Sequence, residues 1–434
     1  MPRLSSHFSF SHYADRVSLG QSKIQNPHEP KATDGVKSKI TPFLLVLLMA
    51  FVVVGCDSSD TTEEEVFEPR MGRGATLSLT LVAEKSVAQI TSEFAALAVP
   101  VPARLAVSIY KVVYQTIDAE GAVTQASGAL LVPQDAAGAL PMVSYQHGTL
   151  VARDEVPSAG SAEQIVGLAF ATDGYVAALP DLLGLGESPG RHPYVHAATS
   201  ASAVVDMLRA TVDFAALNGV DLNGQLFILG YSQGGYTAMA AHRELEAAHQ
   251  DEFQVTASAP MAGPYDLSGT MADTFTADET HPSPYYLPYT LLAYNAIYRL
   301  FDTPSAFLTA PYDSLLPPLF DGTHTGGEID AVMPDTPRDI LNPDLVAAFD
   351  SDPNHPFRIR LQENDVYDWA PQAPIRLYHC GQDRHVPPEN AQVALQHLRA
   401  RGAQVAFFDP LPTGDHGACA APSLLLAKLW FDGF

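Results

Sequence analysis

Residues 225–239 read QLFILGYSQGGYTAM: an apolar run, 226–229, breaks at Gly230 and the chain resumes beyond Ser232 as a small-residue helical stretch. The pattern predicts a strand, a sharp turn and a helix. Gly230, Ser232 and Gly234 fit the spacing G-x-S-x-G, which sets a serine on a strained turn flanked by glycines where strand and helix crowd together. A serine so placed stands clear of the sheet. The N–H of Gln233 then falls at a helix N-terminus, where backbone donors lack partners and the dipole favours negative charge. One turn thus offers a nucleophile and a stabiliser for an oxyanion. The pentapeptide alone also suits an ordinary strand–helix turn; the apolar run before it and the alanine-rich 238–241 after it are the context the chemistry needs.

Outward from this elbow, runs 107–116 and 122–132 flank Asp118-Ala119-Glu120-Gly121 and predict an antiparallel hairpin. A short buried strand, 142–146, ends in His147-Gly148-Thr149, and a helical pattern covers 162–171. Strand 175–179 ends at Asp181, followed by helix 197–217, the elbow, and strand 255–259. Such alternation implies right-handed crossovers and a mainly parallel sheet, the hairpin forming its antiparallel edge, with ligands bound at strand C-termini. Between 266 and 374 the alternation stops, prolines are frequent and aromatics cluster at 285–301, which reads as an inserted cap. It resumes with strand 375–379, helix 388–400, strand 404–408 and helix 423–431. The expected α/β architecture is a core formed by 76–265 and 375–434, interrupted by the cap at 266–374.

A serine hydroxyl is a poor nucleophile near neutrality and needs a histidine base oriented by a carboxylate. Gly381-Gln382-Asp383 follows one strand and Gly414-Asp415-His416 the next, so Asp383 and His416 are the candidates. Asp415, next to His416 in the chain, is badly placed to reach its ring, and Glu389 lies a helical turn beyond Asp383. His379, His385 and His242 read as surface or helix histidines.

With Ser232, Asp383 and His416 in that order, the chain from about Tyr110 onward resembles the α/β-hydrolase superfamily. G-Y-S-Q-G-G, Y-Q-H-G-T and the large insertion resemble bacterial esterases related to the secretory, lipase A-like branch of lipases. The resemblance implies a second oxyanion donor, the N–H of Thr149 beside Gly148, and a mainly architectural loop at Asp181-x-x-Gly184-x-Gly186-x-Ser188. It implies ester hydrolysis through an acyl-enzyme, with Ser232, Asp383 and His416 catalytic and Gln233 and Thr149 forming the oxyanion hole. Tyr231, Tyr285, Tyr286 and Tyr289 are candidate substrate-binding side chains, with Leu287, Leu292 and Tyr294 extending an apolar lining. The alternative is that these residues simply pack the cap onto the core. No metal spacing, phosphate loop or dinucleotide fingerprint occurs, so no cofactor is expected. A serine peptidase of the same fold and a non-catalytic binding protein are the rival readings.

Ahead of this core, Lys37 and Lys39 precede an apolar stretch, 43–54, and Val53-Val54-Gly55-Cys56 resembles the lipobox of bacterial lipoproteins. Residues 1–36 are long and polar for such a leader, so the start is expected nearer Lys37. The expectation is a signal segment at 1–56, lipidation at Cys56, an acidic tether at 57–75, and an exported, membrane-anchored protein on the periplasmic face or cell surface. Residues 1–56 hold six of the 24 Lys/Arg and three of the 49 Asp/Glu, so the chain beyond them carries a formal charge of −28. That balance argues against nucleic acid as a partner. Only Lys85, Lys111 and Lys428 are lysines beyond Cys56. Cys380 and Cys419 lie three residues before Asp383 and three after His416. If the acid and the histidine touch, these cysteines come close, and export to an oxidising compartment would allow a bridge; the alternative is that Cys380 is a buried strand-end thiol.

Overall fold

The computed structural model describes residues 70–434. The signal segment, Cys56 and residues 57–69 of the expected tether lie outside the described residues. Among these residues nine strands form one sheet in the order β1-β2-β3-β5-β4-β6-β7-β8-β9. From β5 (Val176–Pro180) through β4 (Leu140–Gln146), β6 (Leu222–Tyr231), β7 (Val255–Met261) and β8 (Ile375–Tyr378) to β9 (Val405–Phe408), neighbours run parallel. The central strands read as almost unbroken apolar runs because helices cover both of their faces. On one face lie α1 (Val87–Ala96), α2 (Gln164–Ala171) and the C-terminal helix, which pack Ile90, Phe170 and Phe431 against Val143, Phe227 and Leu229. On the other lie α3 (Ala197–Leu217) and α4 (Gln233–Ala248), whose Val204, Leu208 and Leu245 meet Leu226 and Ile228. Each such buried aliphatic side chain contributes about 1.5–3 kcal/mol relative to exposure.

The hairpin of β2 (Val107–Ile117) and β3 (Val123–Pro133) forms as expected, its turn closed by Asp118, which accepts from Glu120 N at 3.0 Å and Ala122 N at 2.8 Å. It is not the edge of the sheet. That place belongs to β1 (Thr76–Lys85), paired antiparallel with β2. Leu77, Leu79 and Leu81 alternate along β1, yet they remain 54%, 43% and 49% exposed, so the strand presents no buried face that would announce it. Arg70 and Arg73, read as the end of the tether, are drawn onto the helical layer. Arg73 pairs with buried Asp206 at 3.0 Å, and Arg70 reaches Asp213 and Glu252 at 3.5 Å each.

Between β7 and β8 the chain makes six short α-helices among the described residues: α5 (Ala272–Thr276), α6 (Tyr286–Tyr298), α7 (Tyr312–Leu315), α8 (Gly326–Asp330), α9 (Pro343–Ser351) and α10 (Pro356–Glu363). The two ends of this insertion are tied at its base. Asp365 accepts from Leu267 N (2.7 Å), Ser268 N (3.1 Å) and Ser268 Oγ (2.6 Å), and Val366 N donates to Tyr265 O. Aromatic contacts hold the insertion to the core: Tyr289 stacks on Tyr194 with centroids 4.4 Å apart, and the hydroxyls of Tyr294 and Tyr236 both donate to Val195 O.

After β8 come α11 (Glu389–Ala400), β9 and α12 (His416–Phe431). The last helix starts seven residues before the expected 423. Pro422 suggests a boundary, but Asp415 accepts from Ala418 N at 2.8 Å and caps a helix that carries the proline inside it.

Candidate active site

Ser232 sits at φ 61°, ψ −123°, a conformation that side-chain-bearing residues avoid, and it is held there from both sides. Its N–H donates to Met261 O at 2.9 Å, and its carbonyl accepts from Gly235 N and Tyr236 N. A Cβ on Gly234 would run into the carbonyl oxygen of Gln146, and one on Gly230 into that of Gly234. The glycines are therefore required by close backbone approach of strand and helix. Gln233 opens α4, so its N–H is one of those a helix leaves without an internal acceptor.

The Gln233 side chain is buried, and its Nε2 donates to His192 Nε2 at 2.6 Å, while His192 Nδ1 donates to Leu183 O at 2.6 Å. Burial lowers the His192 pKa to about 4, so this ring is neutral and serves as a strut. Thr149 follows β4 and places Oγ1 3.1 Å from Tyr194 Oη. The loop carrying it is fixed by buried His147, whose ring nitrogens face Gly148 O (2.7 Å) and Asp181 O (3.0 Å). Asp181 is fully buried, accepting from Ser127 Oγ and Ser158 N, and holds its loop in place.

His416 is the first residue of α12, and its Nδ1 lies 2.6 Å from Asp383 Oδ2. That bond fixes the tautomer with Nε2 free to take a proton. Burial works to raise the pKa of Asp383, but the facing His416 and the hydrogen bonds from His379 and His416 outweigh it and hold the carboxyl below its ordinary range. Asp383 Oδ1 accepts from His385 N and Val386 N, both at 2.9 Å. Glu389 is exposed at the start of α11 and Asp415 is the cap of α12, so neither takes the place of Asp383. Cys380 and Cys419 are joined by a disulfide with Cα atoms 5.8 Å apart, which ties the Asp383 loop to the first turn of α12.

Two histidines read as surface or helix residues belong to this cluster instead. His379 is fully buried, with Nε2 3.1 Å from Asp383 Oδ2. His385 stacks on the His416 ring with centroids 5.0 Å apart, and burial, reinforced by the proximity of His416, lowers its pKa to about 4. His242 is a helix residue, but a buried one, spanning Ser258 Oγ and Glu246. A histidine at a strand end has no periodic partner in sequence, and its nearness in sequence to Asp383 is the signal that could have drawn attention to His379. Tyr231, expected to touch substrate, braces the histidine: its hydroxyl donates to His416 O at 2.6 Å, and its ring packs on the imidazole at 5.0 Å.

No family model matches the chain, and no curated protein does. Solved structures match it over most of its length. The rice cell wall degrading esterase LipA from Xanthomonas oryzae is 32% identical and superposes with a TM-score of 0.74, the match covering 82% of this chain and 96% of that one. The chain belongs to the α/β-hydrolase superfamily. A Legionella pneumophila protein taken to be a hydrolase is 28% identical to this hydrolase, with a TM-score of 0.77 and 82% and 97% of the two chains covered. Candida antarctica lipase A, at 16% identity and a TM-score of 0.62 over 84% and 83%, shares the fold.

In this hydrolase an apolar cavity extends from Ser232 and Gln233 among the inserted helices, walled by Leu267, Met271, Phe275, Leu291, Phe349 and Phe357 among others. Tyr286 and Leu287 line it; Tyr231, Tyr285, Tyr289, Leu292 and Tyr294 do not. The last four pack the insertion onto the core, and Tyr285 N donates to Asp330 Oδ1. Among the described residues no group of His, Cys, Asp and Glu is arranged to hold a metal, and no helix is long and apolar enough to cross a membrane.

Proposed function

We propose that this hydrolase cleaves carboxylic esters with an apolar acyl group by acyl transfer through Ser232. The observation that carries the proposal is the 2.6 Å contact of His416 Nδ1 with Asp383, with His416 held against Tyr231, the residue before a strained, glycine-flanked serine in the wall of an apolar cavity. His416 Nε2 takes the Ser232 proton as Oγ attacks the ester carbon. The N–H groups of Gln233 and Thr149 receive the oxyanion, and His416 returns the proton to the departing alcohol. Water then repeats the sequence on the acyl-enzyme. The apolar wall favours an aliphatic or aromatic acyl chain over a peptide, which would strand its amide groups without partners. The esterase from Xanthomonas oryzae supports the same reaction class.

Labelling with a fluorophosphonate tests the nucleophile, and a series of p-nitrophenyl esters of rising chain length tests the cavity against an aminoacyl-anilide. Label retained by Ser232→Ala, or faster cleavage of the anilide, defeats the proposal. Export and lipid attachment at Cys56 complete it, and incorporation of a fatty-acid analogue that persists in Cys56→Ser counts against that part.

A further inference from the structure

Asp383 carries two imidazoles on one oxygen, and acyl transfer as described uses only one of them. His379 follows β8 directly and points Nε2 at Asp383 Oδ2 (3.1 Å) and at Val386 O (2.8 Å). A carbonyl oxygen only accepts, so Nε2 bears a proton and shares it with the carboxylate. Nδ1 is buried with no hydrogen-bond partner. A proton there would be an unpaired buried donor, which makes the ring neutral.

We infer that His379 is a positioning residue for the acid, fixing the Asp383 carboxylate so that Oδ2 faces His416 while drawing negative charge away from that oxygen. The inference rests on Ser232, His416 and Asp383 acting as a triad. It has two consequences of opposite sign. Fixing the carboxylate favours turnover, because a histidine held in the wrong orientation cannot serve as base. Drawing off charge weakens the attraction of Asp383 for a protonated His416, so loss of this hydrogen bond strengthens that attraction. The other titratable or charged groups around the pair include His385 stacked on His416, His281 and Tyr286 beside His385, Tyr231, and Asp415 and Arg384 on the adjoining loops.

The test compares His379→Phe, which fills the space without a donor, with His379→Gln, whose amide N–H reaches the same point. Each is measured for kcat and KM on a p-nitrophenyl ester, for the pH profile of kcat/KM, and for thermal melting. For His379→Phe, kcat is expected to fall about 10- to 100-fold with KM little changed, the range of one hydrogen bond to a charged group. The acid limb of kcat/KM should move up by about half to one pH unit. His379→Gln should recover most of both. Unchanged kcat and acid limb in His379→Phe overturn the inference, as does equal impairment of the two variants at wild-type melting temperature. If His379→Phe fails to fold, His379→Leu takes its place: lowered kcat with a raised acid limb, both recovered in His379→Gln, support the role, and both unchanged at wild-type melting overturn it. Ser232→Ala, run alongside, separates the two levels, since activity surviving in that variant removes the triad and the inference with it.

Discussion

The two halves of the candidate site are built by different means. The β6–α4 elbow is a backbone construction, in which Ser232 is fixed by its φ of 61°, by main-chain hydrogen bonds and by glycines that admit no Cβ. The Asp383–His416 half is a side-chain construction. Its two loops come from different strands and are joined by the Asp383–His416 contact and a disulfide, with His379 bracing Asp383 and the Tyr231 hydroxyl bracing His416. A backbone-built part tolerates no added atom, whereas a side-chain-built part is sensitive to the identity of single polar atoms.

Gly234→Val tests the first statement most severely. The new side chain meets Gln146 O, and the expected outcome is loss of both folding and activity, a destabilisation above about 4 kcal/mol. Soluble protein with wild-type melting and activity would show the elbow to be more pliable than its geometry says. In the other half, Asp383→Asn changes one atom in size-neutral fashion. It should reduce kcat by roughly 10³- to 10⁴-fold, because the histidine loses its orienting partner. Removing the bridge by Cys380→Ser with Cys419→Ser should destabilise by about 2–5 kcal/mol, since the link closes a loop of 39 residues in sequence. Denaturant titration reads this directly, and an unchanged midpoint would mean that the loops are held by their other contacts alone.

The smallest effect separates the halves by pH. His385 has its pKa lowered from 6.5 to about 4 by burial, so between those values the unfolded chain binds the proton that the folded one refuses, and stability falls as pH drops from about 6.5 to 4. His192 and His196, also lowered to about 4, act in the same direction. Asp330 and Asp365 oppose them: their pKa values are raised to about 6, so their contribution is full below the ordinary carboxylate range and is lost as pH rises through about 6. His385→Phe should therefore flatten the fall in melting temperature between pH 6.5 and 4. An identical slope would assign that fall to other groups.

The legibility of the sequence follows the same division. Strands covered on both faces, such as β4, β5 and β6, appear as apolar runs, and the elbow appears as a local pattern because its causes are local. β1 alternates as a strand should, but with both faces exposed it gives no contrast between buried and open positions. In the insertion, the aromatic run at 285–301 marks α6 without telling which side each ring faces; Tyr286 lines the cavity while Tyr289 stacks on Tyr194. The role of His385 depends on a contact between loops and that of His379 on how its own loop folds back, which no periodicity encodes. Asp383 and His416 were readable because the elbow demanded partners beyond it at strand ends.

The scarcity of lysine gives the molecule a built-in orientation for surface chemistry. Lys428 is held between Asp173 and Asp432 with a side chain 5% exposed, whereas Lys85 and Lys111 are 21% and 30% exposed. Both lie on β1 and β2, at the end of the sheet opposite β8 and β9. Coupling through these two lysines would therefore fasten the protein by its β1–β2 edge to a bead or sensor chip, with the loops of Asp383 and His416 toward the opposite edge of the sheet.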